Sequence, residues 1–412
     1  MSGRACIGAL LLALSPCAWT QAARAPVEGS PVESSPVTRR PADDGVSRAD
    51  RAEIARAVRD VCRRDVVVLG DDANHGAAAS TRVRAAIVRR LVERCGFRAV
   101  LFESQVYDAL DYARAAAEGR ADVGQLADAV GPLWARMPES RSLLDWVHGE
   151  VVAGRLQVGG IDPQVGGRTG RYAKERLGAA LASALAPPQR AACTVEFDRH
   201  DRWAYDDETQ PFDDAARARL RGCADAVRAA VVAQGLDARS DLAGMAAAYG
   251  RYLEMALDGD GDRRDLGMAE LVQWHRARWP RGTRIVVLCA TVHAARRTHG
   301  IAPAMVPMGA HLAAALGDRY AVIGFTAAGG TFGDLSGAVH ALAPAGRAAL
   351  ETVALAEAEG DLRYLDRRWL RRHGVIPARP INDRIVHAAA WAEVLDGLMV
   401  LREERAPAPP GD

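Results

Sequence analysis

The sequence has few aromatic residues, 5% of 412, and no surplus of either charge: Lys+Arg total 53 against Asp+Glu at 52, a formal net charge of +1. Tracking a nucleic-acid backbone needs a cationic surplus, and gripping single strands needs stacking rings, so the composition speaks against both. No apolar run beyond the N-terminus reaches the roughly 18–20 residues that cross a bilayer. There is no G-x-S-x-G, no H-E-x-x-H and no Walker-type phosphate loop. That leaves the nucleophile-elbow serine hydrolases, the zincins and the P-loop enzymes without support. Seven cysteines are present, none in C-x-x-C spacing, so a zinc site built on thiolates is not expected. Nothing in the sequence calls for a cofactor.

What is there is the composition of a packed protein, 49% hydrophobic and 25% charged. Residues 1–25 read as a secretory signal. Arg4 opens it, Ile7 to Leu14 form a short apolar centre, and Ala23-Arg24-Ala25 is the cleavage site, with Thr20-Gln21-Ala22 as a competitor. A buried helix is the alternative. A lipid-attachment site at Leu14-Ser15-Pro16-Cys17 is disfavoured by the proline. Residues 26–48 carry Pro, Ser, Glu and Asp without an apolar period and read as a disordered tether, as do 406–412 at the other end.

Short continuous apolar runs at Val66–Leu69, Ala99–Phe102, Leu156–Ile161, Ile285–Ala290, Tyr320–Phe325 and Leu398–Leu401 suit strands covered on both faces. Between the first two, Thr81–Cys95 places Val83, Ile87 and Leu91 four apart, a helical stripe. Strand, helix, strand implies a right-handed parallel unit. The expected fold is therefore α/β: a mostly parallel central sheet flanked by helices, over residues 49–405. Residues 168–262 differ, with helical periodicity and no convincing strand, and read as a helical insertion; Ala215–Ala233 and Asp241–Leu257 are its clearest helices. The run Asp258–Asp262 starts like a calcium loop, but Arg263 stands where the sharp turn needs glycine and Ala269 where the twelfth ligand should be.

Export would oxidise the cysteines. Cys62 lies four residues before Val66, and Cys95 four before Ala99. If those two strands are parallel neighbours, the sulfurs sit at matching heights and bridge. Cys193 and Cys223 form a second candidate pair, with Cys289 left over; five reduced, buried thiols are the alternative.

Ligands of open parallel sheets bind beyond the carboxyl ends of the strands. Here those ends run into Asp71-Asp72-Ala73-Asn74-His75-Gly76, Glu103-Ser104, Asp162-Pro163 and Thr291-Val292-His293. Carboxylates and imidazoles on one rim are what acid/base chemistry needs. His75 is the candidate base, with Asp72 three residues earlier placed to set its tautomer. Alternatively, Asp72 or Asn74 caps the next helix and His75 lies on the surface. Arg84 shares a helical face with Val88, Leu91 and Cys95, so it points at the sheet and needs a partner; Glu103, itself expected to be buried, is the nearest choice. A purely structural ion pair is the alternative there, and an ordinary surface histidine the alternative for His293. Asp162 is a weaker candidate, equally suited to capping. Cys289 lies inside a strand, which leaves direct activation of water by His75.

These residues resemble the erythromycin esterase family, which hydrolyses esters without a covalent intermediate. That family carries G-E-x-T-H-G after a strand, an arginine on the next helix, then G-F-R-x-V-x-x-E. Asp72-Ala73-Asn74-His75-Gly76, Arg84 and Gly96-Phe97-Arg98-Ala99-Val100-Leu101-Phe102-Glu103 stand in those places. Further matches are Gly160-Ile161-Asp162, Arg264-Asp265 with Met268-Ala269, Met308-Gly309 with His311-Leu312, and Gly324-Phe325. The resemblance runs from about residue 60 to about 330. It implies that His75 is the general base, Asp72 and Glu103 its carboxylate partners, Arg84 their positioner and His293 part of the site, acting on a small-molecule ester or lactone. Two departures stand out. Asp72 replaces a family Glu, and the late A-H-N-x-H reads Cys289-Ala290-Thr291-Val292-His293, without its first histidine. The second departure supports an alternative: a non-catalytic binder of metal or haem, with Asp72, His75, Glu103 and His293 around a divalent ion.

Overall fold

The structure, a computed structural model, describes residues 47–408 apart from 74, 136, 166–170, 203–212, 299, 302–304 and 335. The expected leader, nearly all of the expected tether, Asn74 and residues 409–412 lie outside the described residues.

Helix α1 (Arg48–Val61) starts where the Ser47 hydroxyl accepts from the Asp50 amide. It leads into β1 (Val66–Asp71), in which every residue is buried. Helix α2 (Ala78–Cys95) ends at Gly96, whose φ of +73° closes the last turn and costs a residue without Cβ little. Then come β2 (Phe97–Gln105), helix α3 (Val106–Ala117), β3 (Gln157–Asp162), β4 (Arg284–Ala290) and β5 (Tyr320–Ala327). In space the order is β3, β2, β4, β1, β5, followed by strand Gly397–Leu401 and, at the edge, strand Leu362–Asp366. All neighbours are parallel except that edge pair. The fold is thus the mixed α/β one with a mostly parallel sheet.

The continuous apolar runs follow from two cores, one on each face. Val67, Leu69, Val100, Phe102, Val286 and Leu288 pack on α1 and α2 through Ile54, Val58, Ile87 and Leu91. Val66, Val68, Ala99, Leu101, Ile285 and Val287 pack on the other side against Met268, Val272 and Leu312. Alternate side chains serve opposite faces, so each strand must be apolar throughout. Strand Leu362–Asp366 escapes that signature: Arg363 and Asp366 are only half buried.

Between β3 and β4 every described element is helical, from Arg171 to Arg278. Helices Asp214–Ala233 and Asp241–Asp258 lie within a residue of their expected bounds and share a core of their own with Tyr107, Leu177 and Phe197. Helix Asp262–Arg278 belongs equally to the sheet, through Met268 and Val272.

Both disulfides form, Cys62–Cys95 and Cys193–Cys223, with Cα separations of 5.3 and 5.4 Å, and Cys289 is buried and free. The geometric premise for the first needs correcting. β1 and β2 are not neighbours, because β4 lies between them. The sulfurs meet instead because Cys62 caps α1 and Cys95 ends α2, and the two helices pack on one face of the sheet. Arg284, at the start of β4, donates Nη1 to both cysteine carbonyls.

Candidate active site

β1 ends in Asp71, and the chain then makes a tight turn in which the His75 amide donates to the Asp72 carbonyl at 3.0 Å. His75 sits at φ +53°, the one non-glycine residue with positive φ among the described residues. Such a conformation persists only where the surroundings over-determine it. Gly76 beside it touches strand Gly330–Gly333 so closely that a Cβ would lie 2.1 Å from the Gly333 carbonyl oxygen. Gly70 is pressed the same way, its missing Cβ 2.4 Å from Thr291 Oγ1.

His75 is buried between two carboxylates. Its Nδ1 lies 3.6 Å from Asp71 Oδ2 and its Nε2 3.7 Å from Glu103 Oε2, both longer than a hydrogen bond. Trp134 covers the ring at 5.2 Å between centroids. Burial alone would lower the His75 pKa; Glu103 first, then Asp71, outweigh it and raise it, with Arg84 subtracting. Arg84 is 1% exposed, donates Nη2 to Asp71 at 2.6 Å and to Thr81 Oγ1 at 2.8 Å, and stacks over Trp134.

The other half of the rim is organised by Arg264, in the first turn of helix Asp262–Arg278. Its guanidinium donates to Asp162 at 2.7 Å, to Glu103 at 3.0 Å and to His293 Nε2 at 2.9 Å. His293 Nδ1 faces both oxygens of Asp265, at 2.9 and 3.0 Å. Since Arg264 can only donate, the neutral form of His293 carries its proton on Nδ1 and leaves Nε2 as acceptor. Asp265 also takes the Met308 amide at 2.8 Å, which fixes it at a helix start. Glu103 Oε2 accepts the Ala290 amide at 2.7 Å. Burial pushes the Glu103 carboxyl up, but His293, His75, Arg264 and that amide together hold it down at about 2.

Six candidates named from sequence therefore divide. His75, Glu103 and His293 meet at one end of the sheet, with Asp162 joined through Arg264. Arg84 is buried as expected, but its partner is Asp71, not Glu103, because β4 separates β1 from β2 and Glu103 turns to the helix across the rim. Asp72 needs the same correction. Asp71 is the carboxylate facing His75 Nδ1, while Asp72 Oδ1 accepts the Asp383 amide at 2.8 Å. Strand pleating sends successive side chains opposite ways, so one residue's shift changes the partner entirely. Asp71, Arg264 and Asp265 were missed as site residues. The signal for the last two was their place among the matched family positions. For Asp71 it was its position as the first polar residue after the apolar run.

The divalent-ion alternative meets a positive charge already in place, since Arg264 stands between Glu103 and His293. Among the described residues no group of three or more His, Cys, Asp or Glu is arranged to hold a metal ion.

The erythromycin esterase profile matches residues 92–403. The chain belongs to the erythromycin esterase family. The match takes in Glu103, Arg264, Asp265 and His293 and extends through the last strand, while Asp71, His75 and Arg84 precede it. Three solved structures share the fold. A Bacillus cereus protein is 17% identical, with a TM-score of 0.71 over 90% of this chain and 95% of its own. A succinoglycan biosynthesis protein is 15% identical, with a TM-score of 0.70 over 86% and 91%. A mutant of the erythromycin esterase EreC in its open conformation is 19% identical, with a TM-score of 0.68 over 88% and 96%. None of the curated protein sequences matches. The family makes this a hydrolase-like scaffold. No helix among the described residues is long and apolar enough to cross a membrane.

Proposed function

We propose that the protein is an exported hydrolase that cleaves an ester or lactone bond of a small molecule, with His75 as the general base. The observation that carries this reading is the placement of His75 between the Asp71 and Glu103 carboxylates, whose charges outweigh burial and make the imidazole a stronger base than a free histidine. His75 Nε2 removes a proton from a water on the Glu103 side. The water oxygen adds to the acyl carbon, and the carbonyl π electrons pass to oxygen. Arg264, partly exposed at the rim, faces that developing oxyanion. On collapse the C–O bond breaks, and the proton held by His75 passes to the leaving alkoxide. No covalent enzyme intermediate is needed. Ala290 in place of the family histidine is compatible with this scheme, because the contact it makes to Glu103 uses its backbone amide.

Export is supported by the leader-like residues 1–25 and by two disulfides, which persist in oxidising compartments. The test is a panel of chromogenic esters, lactones and macrolides offered to the chain from residue 26 onward, with His75→Ala as control. Turnover that disappears in the variant supports the reading. Turnover unaffected by the substitution, or none on any substrate, overturns it; the second outcome leaves the non-catalytic binder.

A further inference from the structure

On the α2 side of the sheet, Thr81, Arg84, Trp134 and Ser140 line one small cavity; the rest of its wall is leucine and phenylalanine. Its volume is about 10 Å³, room for a single monatomic or water-sized guest. All four polar residues are buried, none more than 3% exposed. His75 and Glu103 do not line the cavity, but Trp134, which does, also covers the His75 ring.

The polar atoms of this wall are nearly all donors. Arg84 Nη2 is spent on Asp71 Oδ2 and Thr81 Oγ1, yet its Nε and Nη1 have no hydrogen-bond partner among the described residues. Trp134 Nε1 and Ser140 Oγ have none either. A guanidinium and an indole can only donate. Leucine and phenylalanine side chains accept nothing, and Thr81 Oγ1 already accepts from Arg84. Leaving several donors unmatched among apolar groups is costly. A water in the cavity would have to place hydrogens of its own against the same donor-rich wall, whereas a halide accepts from every side and donates nothing. Negative charge is favoured there by two further features. Ser140 stands in the first turn of the 15-residue helix Pro138–Val152, the end at which the backbone amides point outward. Asp71, the anionic partner of Arg84, lies outside the cavity wall.

We propose that this cavity binds a single chloride ion, held by Arg84, Trp134 and Ser140. The ion accepts from the Arg84 nitrogens that Asp71 leaves unused, so the guanidinium bridges two negative groups. It also accepts from the indole and thereby fixes Trp134 in place over His75. The volume excludes polyatomic anions such as sulfate. The inference does not depend on hydrolysis, and its test uses no substrate.

The experiment follows the Tm of the chain from residue 26 onward as sodium chloride replaces sodium gluconate at constant ionic strength. Once the site fills, Tm should rise with the logarithm of chloride, by about 2 °C for each tenfold increase. Bromide should act like chloride, and sulfate should not. Anomalous scattering from crystals grown in bromide should place one ion within hydrogen-bond reach of Arg84 and Trp134. Trp134→Phe removes the indole donor and should move the onset of the rise to about tenfold higher chloride or beyond, the worth of one hydrogen bond to a charged group. A variant that merely packs worse would have a lower Tm and the same dependence on chloride. Equal Tm in chloride and gluconate overturns the proposal and leaves a buried water in the cavity. Sulfate acting as well as chloride also overturns it, because that marks a general salt effect. So does an onset unmoved in Trp134→Phe, or a bromide peak elsewhere. Should Trp134→Phe not fold, Ser140→Ala, which removes the hydroxyl donor, decides by the same shift in onset, and an unmoved onset refutes the assignment.

Discussion

Arg84 and Asp71, thirteen residues apart, meet at 2.6 Å with neither more than 1% exposed. The pair joins α2 to the last residue of β1 beneath His75, so the base rests on a buried ion pair. Truncating one member leaves the other charged without a partner. Arg84→Met is expected to destabilise the fold by about 3–5 kcal/mol. Chemical denaturation with linear extrapolation checks this, and a loss below about 1 kcal/mol would show that Asp71 finds another partner.

Removing the base has a different signature. His75→Ala should lower kcat on any active ester by about 10²–10⁴-fold, the usual worth of a positioned general base. Circular dichroism should show an unchanged fold.

The raised pKa of His75 also sets two pH trends of known sign. Turnover needs the neutral imidazole, so kcat/KM should fall with acid through an apparent pKa above 6.5. Stability runs the other way. The charged imidazole is favoured by Glu103 and Asp71, so its contribution is complete below 6.5 and is lost as pH rises through the folded value. Rate and Tm measured across the same buffers should therefore move in opposite directions, apart from the independent contribution of other groups, which His75→Ala subtracts.

Glu103→Gln tests the shared carboxylate. Glu103 is the largest influence raising the His75 pKa, so the acid limb should move to lower pH in the variant. Because the Glu103 carboxyl is held at about 2, its stabilisation is present above 4.5 and lost as pH falls towards 2. Acid unfolding of Glu103→Gln should lack that component.

The two disulfides close loops spanning 33 and 30 residues. On the chain-entropy account each is worth about 3–4 kcal/mol. Reduction should lower the Tm well beyond the few degrees of a surface change, and thiol titration of the oxidised, unfolded chain from residue 26 onward should count Cys289 alone. More than one free thiol would contradict the pairing.

The sequence by itself determined the strands and the rim. Buried parallel strands have to be apolar on both sides, so Val66–Leu69, Ala99–Phe102 and Ile285–Ala290 announce themselves, and the polar residues that follow them, His75, Glu103 and His293, must emerge at one end. Helical spacing likewise puts Arg84 on a buried face, with Val88, Leu91 and Cys95. Which side chain meets which was decided only by the tertiary structure. Local periodicity says which way a residue points within its own element, but not which element lies opposite. The insertion of β4 between β1 and β2 gave Arg84 to Asp71, turned Glu103 towards Arg264, a residue 161 positions away, and left Asp72 to reach Asp383 at a separation of 311. Those pairings are set by burial, where each charge must find a partner among whatever the folded chain has brought within reach.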